Sequence, residues 1–269
     1  MRNDSNVLLA GCGNMGRALV KGWLAEGRDP KRIQVVDPNS EAASAARDLH
    51  VKAVASLSET QVPVDVVVLA VKPQQLEAVL PAYRELAAAG AVFLSIAAGK
   101  PIEFYERVLG GEPAIVRGMP NAPVAIGQGM TVLSANGAVT ADQHALCQAL
   151  MAAVGDVAWL ADEQLMDAVT AVSGSGPAYV FLLIECLIDA AVSVGLERDL
   201  ARQLAEKTVA GAGAYALVSE HEPSELRRQV TSPGGTTEAA LDILLNQDAL
   251  PGLLVRAVQA ARKRGRDLA

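Results

Sequence analysis

The chain has 269 residues, 51% hydrophobic but only 3% aromatic, with a formal charge of −7. That is enough chain for two domains cored by Ala, Val and Leu, and the composition excludes a disordered protein. The acidic balance, with only a short Arg/Lys cluster at Arg262–Arg266, argues against nucleic acid as a partner.

The polar start, Met1 to Asn6, runs straight into a short strand, NVLLAG, so no signal peptide is expected. Helical spacing follows over Asn14–Glu26, then a second strand, IQVVD, and a second helix over Ser40–Leu49. VDVVVLAV is apolar at nearly every position, as a parallel strand covered on both faces must be. A helix led by proline is predicted over Pro73–Ala89. The strands AVFLSIAAG, AIVRGMP, GMTVLSA and DVAWL follow, with a helix near Ala141–Val154 before the last of them. After Leu160 the β pattern stops. Helices are predicted near Glu163–Ser173, Pro177–Val194, Arg198–Ser219, Thr236–Leu245 and Pro251–Asp267. The fold class is therefore α/β, a doubly wound Rossmann sheet over residues 1–161 followed by an all-helical domain over 162–269. The longest apolar stretch, GPAYVFLLIECLIDAAVSVGL, carries Glu185 and Asp189, which argues against a membrane span and for a helix buried in a core or subunit interface.

Three cysteines, Cys12, Cys147 and Cys186, show no metal-ligand spacing and no disulfide framework; no metal is expected, and a reducing cytoplasm fits. GCGNMG places Gly11, Gly13 and Gly16 directly after the first strand and at the opening of a helix. Gly11 permits the tight turn, Gly13 lets backbone approach a pyrophosphate, and Gly16 allows close packing, so the loop reads as a dinucleotide site. Asp37 ends the second strand, 21 residues after Gly16. It reads either as a ligand of a ribose 2′-hydroxyl or as the cap of the next helix. No arginine follows it closely, and Asn39 and Ser40 offer only neutral hydrogen bonds, a local lean toward NADH.

None of the three histidines is a promising acid–base group. His50 lies at a helix end, His144 in a polar helix start, and His221 beside Glu222 and Pro223. A hydride acceptor that needs little acid help suits this inventory, and a protonated imine is one. Lys72, in AVKP, ends a strand at the carboxyl edge of the sheet, where α/β ligands bind. SIAAG ends the next strand with residues small enough for a nicotinamide ring to approach. MPNAP ends the one after, where Asn121 could bond an amide or a ribose.

GCGNMG, AVKPQ, SIAAG, VRGMPNAP, AVSGSGPAYVF and VTSPGGTTEAAL stand in the order and spacing of pyrroline-5-carboxylate reductase, and the chain resembles that family over nearly its whole length. The resemblance implies reduction of 1-pyrroline-5-carboxylate to L-proline with NADPH or NADH in the cytoplasm. It also implies a helical domain that dimerises, with larger rings such as decamers. Carried over by motif, Gly11, Cys12, Gly13, Asn14, Met15 and Gly16 look like cofactor contacts. So do Ala70, Val71, Lys72 and Pro73, and Ala97 and Ala98. Ser232, Gly234, Gly235, Thr236 and Thr237 look like the loop for the substrate carboxylate, and Thr237 like the threonine that meets the ring nitrogen. Glu220 matches an acid near the substrate. Two departures stand out: Ala122 replaces a frequent threonine, and Asp37 is not the neutral residue of strongly NADPH-preferring members. Cofactor preference stays open.

The second glycine loop suits a small carboxylate. Glycine-permissive backbone before a helix at Thr236 can aim several N–H groups at one anion, and the hydroxyls of Thr231, Ser232, Thr236 and Thr237 can add to them. Arg227 and Arg228 read as solvated helix charges. Two alternatives remain: a related imine or β-hydroxyacid reductase, although SGSGPAYVFLLIECLIDAAVSVGL lacks the lysine such hydroxyacid enzymes carry, or a dinucleotide-sensing regulator.

Overall fold

The structure, a computed structural model, describes residues 4–60 and 63–268; the first three residues of the polar start lie outside them. Strand β1 (Val7–Ala10) is buried at all four positions. Its side chains alternate between two cores. Val7 and Leu9 pack with Leu19, Trp23, Leu150 and Met151 on one face, and Leu8 and Ala10 with Leu76, Tyr83 and Tyr105 on the other. A strand covered on both faces has no polar face to show, which is why its sequence does not alternate.

The elements continue with α1 (Asn14–Ala25), β2 (Ile33–Val36), α2 (Ser40–Arg47), β3 (Lys52–Val54) and β4 (Val66–Leu69). Then come α3 (Leu76–Val79), α4 (Arg84–Ala88), β5 (Val92–Ser95), α5 (Ile102–Leu109), β6 (Ile115–Met119) and β7 (Gly129–Ala135). The sheet is completed through α6 (Ala141–Ala152) and β8 (Gly155–Trp159). Its order is β3-β2-β1-β4-β5-β6-β7-β8. The first six positions have the strand order of a dinucleotide-binding fold, with the reversal between β1 and β4. All neighbours pair parallel except β6 and β7, which pair antiparallel. That exception follows from the short connection after β6, too short for a parallel crossover.

Two local readings change. The helix predicted over Pro73–Ala89 is broken into the 3₁₀ turn Pro73–Gln75, α3, a second 3₁₀ turn Leu80–Tyr83, and α4. Pro81 lies in that second turn and cannot donate a helical hydrogen bond. The residues after His50, strand-like in sequence, form β3, whereas helix α5 was not anticipated. Helix α5 buries Ile102, Phe104, Tyr105 and Leu109, and β3 is a three-residue edge strand.

The helical part holds α7 (Met166–Val169), a π-helical turn Thr170–Gly174, α8 (Gly176–Ser193), α9 (Arg198–Val218), α10 (Pro223–Gln229), α11 (Thr236–Leu245) and α12 (Ala249–Leu268). Helix α10 was not among the delimited predicted helices, although Arg227 and Arg228 within it read as helix charges. Two compact units emerge: one runs to Gly174 and takes the chain back from Ala261, and the other is Ser175–Ala260. The first unit keeps the segment after Asp162 because Arg117, 6% exposed on β6, binds it. Arg117 lies 2.8 Å from Glu163 and 4.0 Å from Asp167. The same Glu163 oxygen accepts the Ile102 N–H at 2.9 Å. A buried guanidinium needs such partners.

In the second unit, α8 has no buried residue in the single chain. It packs on α9, yet Phe181, Leu182 and Leu183 remain exposed. Asp189 reaches Arg198 at 3.4 Å. Among the described residues, Glu163–Ser193 is also one helical run long and apolar enough, by length and composition, to cross a membrane.

Candidate active site

The first glycine turn is built as its sequence requires. Gly11 takes φ +90°, and a Cβ there would stand 2.9 Å from the Ala70 carbonyl oxygen. Its N–H is held by the Val36 carbonyl at 2.9 Å. A Cβ on Gly16 would run into the Gly11 carbonyl oxygen, so α1 can sit this close to the turn only without a side chain there. Gly13 is different: a Cβ would meet nothing, and the residue faces open space. It is also the N-cap of α1, with no side-chain cap and no acid in the first turn. The N–H groups and positive end of α1 are therefore left for an outside anion. This arrangement fits the pyrophosphate of a dinucleotide.

Around that turn, Asn14 is exposed and Met15 half-buried. The Cys12 thiol is buried and pushed up to about 11, first by burial and then by the Asp37 carboxylate, with Arg17 acting the other way. It stays neutral and adds no negative charge where an anion would sit. Asp37 does not cap α2. Its Oδ2 accepts the Cys12 N–H at 2.7 Å and its Oδ1 the Asn39 N–H at 2.9 Å. Asn39 is the cap instead, its Oδ1 accepting from Glu41 and Ala42 at 2.9 and 3.1 Å.

The carboxyl ends of β4, β5 and β6 bring the other expected residues to the same edge of the sheet. Ala70, Val71 and Lys72 follow β4; Lys72 is exposed and Pro73 opens the next turn. Ala97 is buried and Ala98 exposed just beyond β5. There Ser95 Oγ lies 2.6 Å from the Tyr105 hydroxyl, inside the core. Asn121 follows β6, where its Oδ1 accepts the Met130 N–H at 2.9 Å and its Nδ2 donates to Ser173 Oγ at 3.4 Å.

The second glycine turn lies in the other unit. Gly234 takes φ +70°, and Gly235 is the N-cap of α11, again with no side-chain cap. The Gly235 N–H bonds the Ser232 carbonyl at 3.0 Å, which closes the turn. Thr237 is half-buried, while Ser232, Thr236 and Glu220 are exposed. Two expected donors are committed elsewhere. Thr231 donates its hydroxyl to the Arg227 carbonyl at 2.6 Å. The Gly234 N–H donates to Glu238 Oε2 at 2.7 Å. The turn thus holds a carboxylate of its own. Glu238 and the Arg117 group were not foreseen. An arginine inside an otherwise apolar strand was the available signal for the second of these.

Residues 163–268 match the family profile described as "Pyrroline-5-carboxylate reductase dimerisation", and residues 6–99 that described as "NADP oxidoreductase coenzyme F420-dependent". The chain is 43% identical to a pyrroline-5-carboxylate reductase of Pseudomonas aeruginosa, covering 98% of this chain and 96% of that one. It is 38% identical to the enzyme of Pisum sativum, covering 99% and 97%. The structure of a pyrroline-5-carboxylate reductase from Coxiella burnetii superposes with a TM-score of 0.93 at 38% identity, covering 98% of both chains. That of pyrroline carboxylate reductase from Plasmodium falciparum, with NADP bound, gives 0.87 at 28%, covering 99% and 98%. With that level of identity over almost its full length, the chain belongs to the pyrroline-5-carboxylate reductase family.

Proposed function

We propose that the chain reduces 1-pyrroline-5-carboxylate to L-proline by hydride transfer from NAD(P)H, the closing step of proline synthesis. One observation carries the reading: a single chain holds two glycine turns, each opening a helix whose glycine N-cap has no side-chain cap, with Glu238 taking the Gly234 N–H in the second. The first suits the pyrophosphate, so the second needs a different and smaller anion. The substrate's carboxylate supplies one.

Gly11, Cys12, Gly13, Asn14, Met15 and Gly16 hold the pyrophosphate, and Asp37 faces the adenosine ribose. Ala70 to Pro73 and Ala97 and Ala98 line the way to the nicotinamide. Ser232, Thr236 and Thr237 take the substrate carboxylate on the bend that Gly234 and Gly235 permit, and Glu220 lies near it. The bound dihydronicotinamide supplies a hydride to the imine carbon. The Thr237 hydroxyl accepts the N–H of the protonated imine and holds the ring in line; Lys72 contributes positive charge at the sheet edge. This is catalysis by positioning, with no strong acid required.

In the same reading residues 1–161 bind the cofactor, and 162–269 dimerise and bind the substrate. A second copy, rather than lipid or nucleic acid, covers α8, and the dimers build a larger ring such as a decamer in the cytoplasm. The exposed apolar face of α8, interrupted by Glu185 and Asp189, supports a protein partner. The test follows NADH and NADPH absorbance with pyrroline-5-carboxylate, then with hydroxyacids and other imines. Turnover restricted to the first substrate is expected. Oxidation with hydroxyacids alone, or with nothing, overturns the assignment.

A further inference from the structure

The reading as a reductase leaves the choice of dinucleotide open, and the turn after β2 decides it. We propose that Asp37, fixed by two backbone N–H groups, rejects a 2′-phosphate and makes this chain prefer NADH to NADPH. The inference rests on the proposed cofactor site.

Three features converge. The first is rigidity. Both carboxylate oxygens of Asp37 are held, one by the glycine turn at Cys12 and one by Asn39. A free aspartate could rotate away from an arriving phosphate; this one would give up two hydrogen bonds to do so. It remains able to accept a third bond, and a ribose 2′-hydroxyl offers one where a phosphate offers only negative charge.

The second is the lack of spare donors. A 2′-phosphate at this position would look to the start of α2. Pro38 has no N–H. The Asn39 N–H is spent on Asp37, and the Glu41 and Ala42 N–H groups are spent on the Asn39 side chain. Ser40 and the Asn39 side-chain NH2 are the donors that remain on this turn, and neither carries a charge. The contrast with α1 is direct: that helix start is uncapped and free of acids, whereas this one is capped and carries Glu41.

The third is charge. No Lys or Arg occurs between Arg32 and Arg47. Arg47 sits in the last turn of α2, roughly 10 Å along the helix from its start. A phosphate would meet two acids and no nearby cation on this segment. Arg17, one turn into α1, is the cation closest in chain position to the glycine turn, and it belongs to α1 rather than to the start of α2. The Plasmodium falciparum relative was solved with NADP bound, so the proposed preference rests on this chain's own residues.

Direct titration of the full-length protein with NADH and NADPH, read by nucleotide fluorescence without substrate, tests this. NADH is expected to bind at least about tenfold more tightly. Equal affinities, or tighter NADPH, overturn the inference while leaving the reductase reading intact. Binding of neither sinks both. Asp37→Ser should shrink or reverse the ratio, and Asp37→Asn, which removes the charge and keeps one acceptor oxygen but sets an NH2 against one of the two backbone N–H donors, should do the same. A folded Asp37→Asn protein with an unchanged ratio removes Asp37 from the role.

Discussion

Thr237 and Ser232 sit in one turn but are expected to fail differently. Thr237→Ala deletes a hydroxyl whose bond to the protonated nitrogen is made as hydride arrives, so kcat should drop by about tenfold to a hundredfold. Ser232→Ala removes a contact to the carboxylate, present before and during reaction, so KM should rise by about three- to tenfold with kcat nearly kept. Steady-state kinetics on both variants check this, and two unchanged variants would refute it. The glycines of the first turn were legible in the sequence because their spacing is local and Gly16 packs on the Gly11 carbonyl within one turn, although Gly11 itself also meets Ala70 after β4. Asp37 was legible only as a pair of options. That its carboxylate grips Cys12 depends on β1 and β2 pairing side by side, which no window of sequence contains. Glu238 was missed for the opposite reason: a glutamate three residues past a glycine N-cap looks like ordinary helix charge.

Single side chains can join several elements, and Arg117 is the clearest case. It ties β6 to the segment that opens the helical part, while Glu163 also holds the first N–H of α5. Arg117→Ala would leave Glu163 and Asp167 facing each other without a cation. A loss of about 3 kcal/mol is expected in urea unfolding; a loss below about 0.5 kcal/mol would show the clamp to be incidental. Helix α8 supports a prediction about assembly. Leu183 is exposed in the single chain, so Leu183→Lys should leave the fold intact and lower the sedimentation coefficient to that of a smaller species. An unchanged profile would contradict the proposed interface. Elements with strong patterns were readable, among them β1, β2, β4, α1, α6, α9 and α11. Helix α5 was not, since its eight residues give barely two turns of pattern. The broken stretch after Pro73 misled because its apolar spacing survives while Pro81 interrupts the backbone bonds.

Over the whole molecule, the buried titratable groups set an alkaline limit. Burial pushes Cys147, Tyr83 and Tyr105 up to about 12 and Cys12 to about 11. The folded chain therefore keeps protons that the unfolded chain releases. Stability is fully present below about pH 9, where the unfolded thiols still hold their protons, and is lost as pH rises toward 12. Melting by circular dichroism at pH 8 and at pH 10.5 should show a clear drop in Tm, and Cys147→Ala should lessen it. A flat profile would refute the account. The strand order has a consequence of another kind. Its outermost members are β3, three residues beginning with the exposed Lys52, and β8, whose Trp159 stacks on His144 at 3.5 Å. Rims this short and this guarded give an intruding strand little to copy. Both rims disfavour growth by strand addition, so the proposed contact between copies falls to the exposed face of α8.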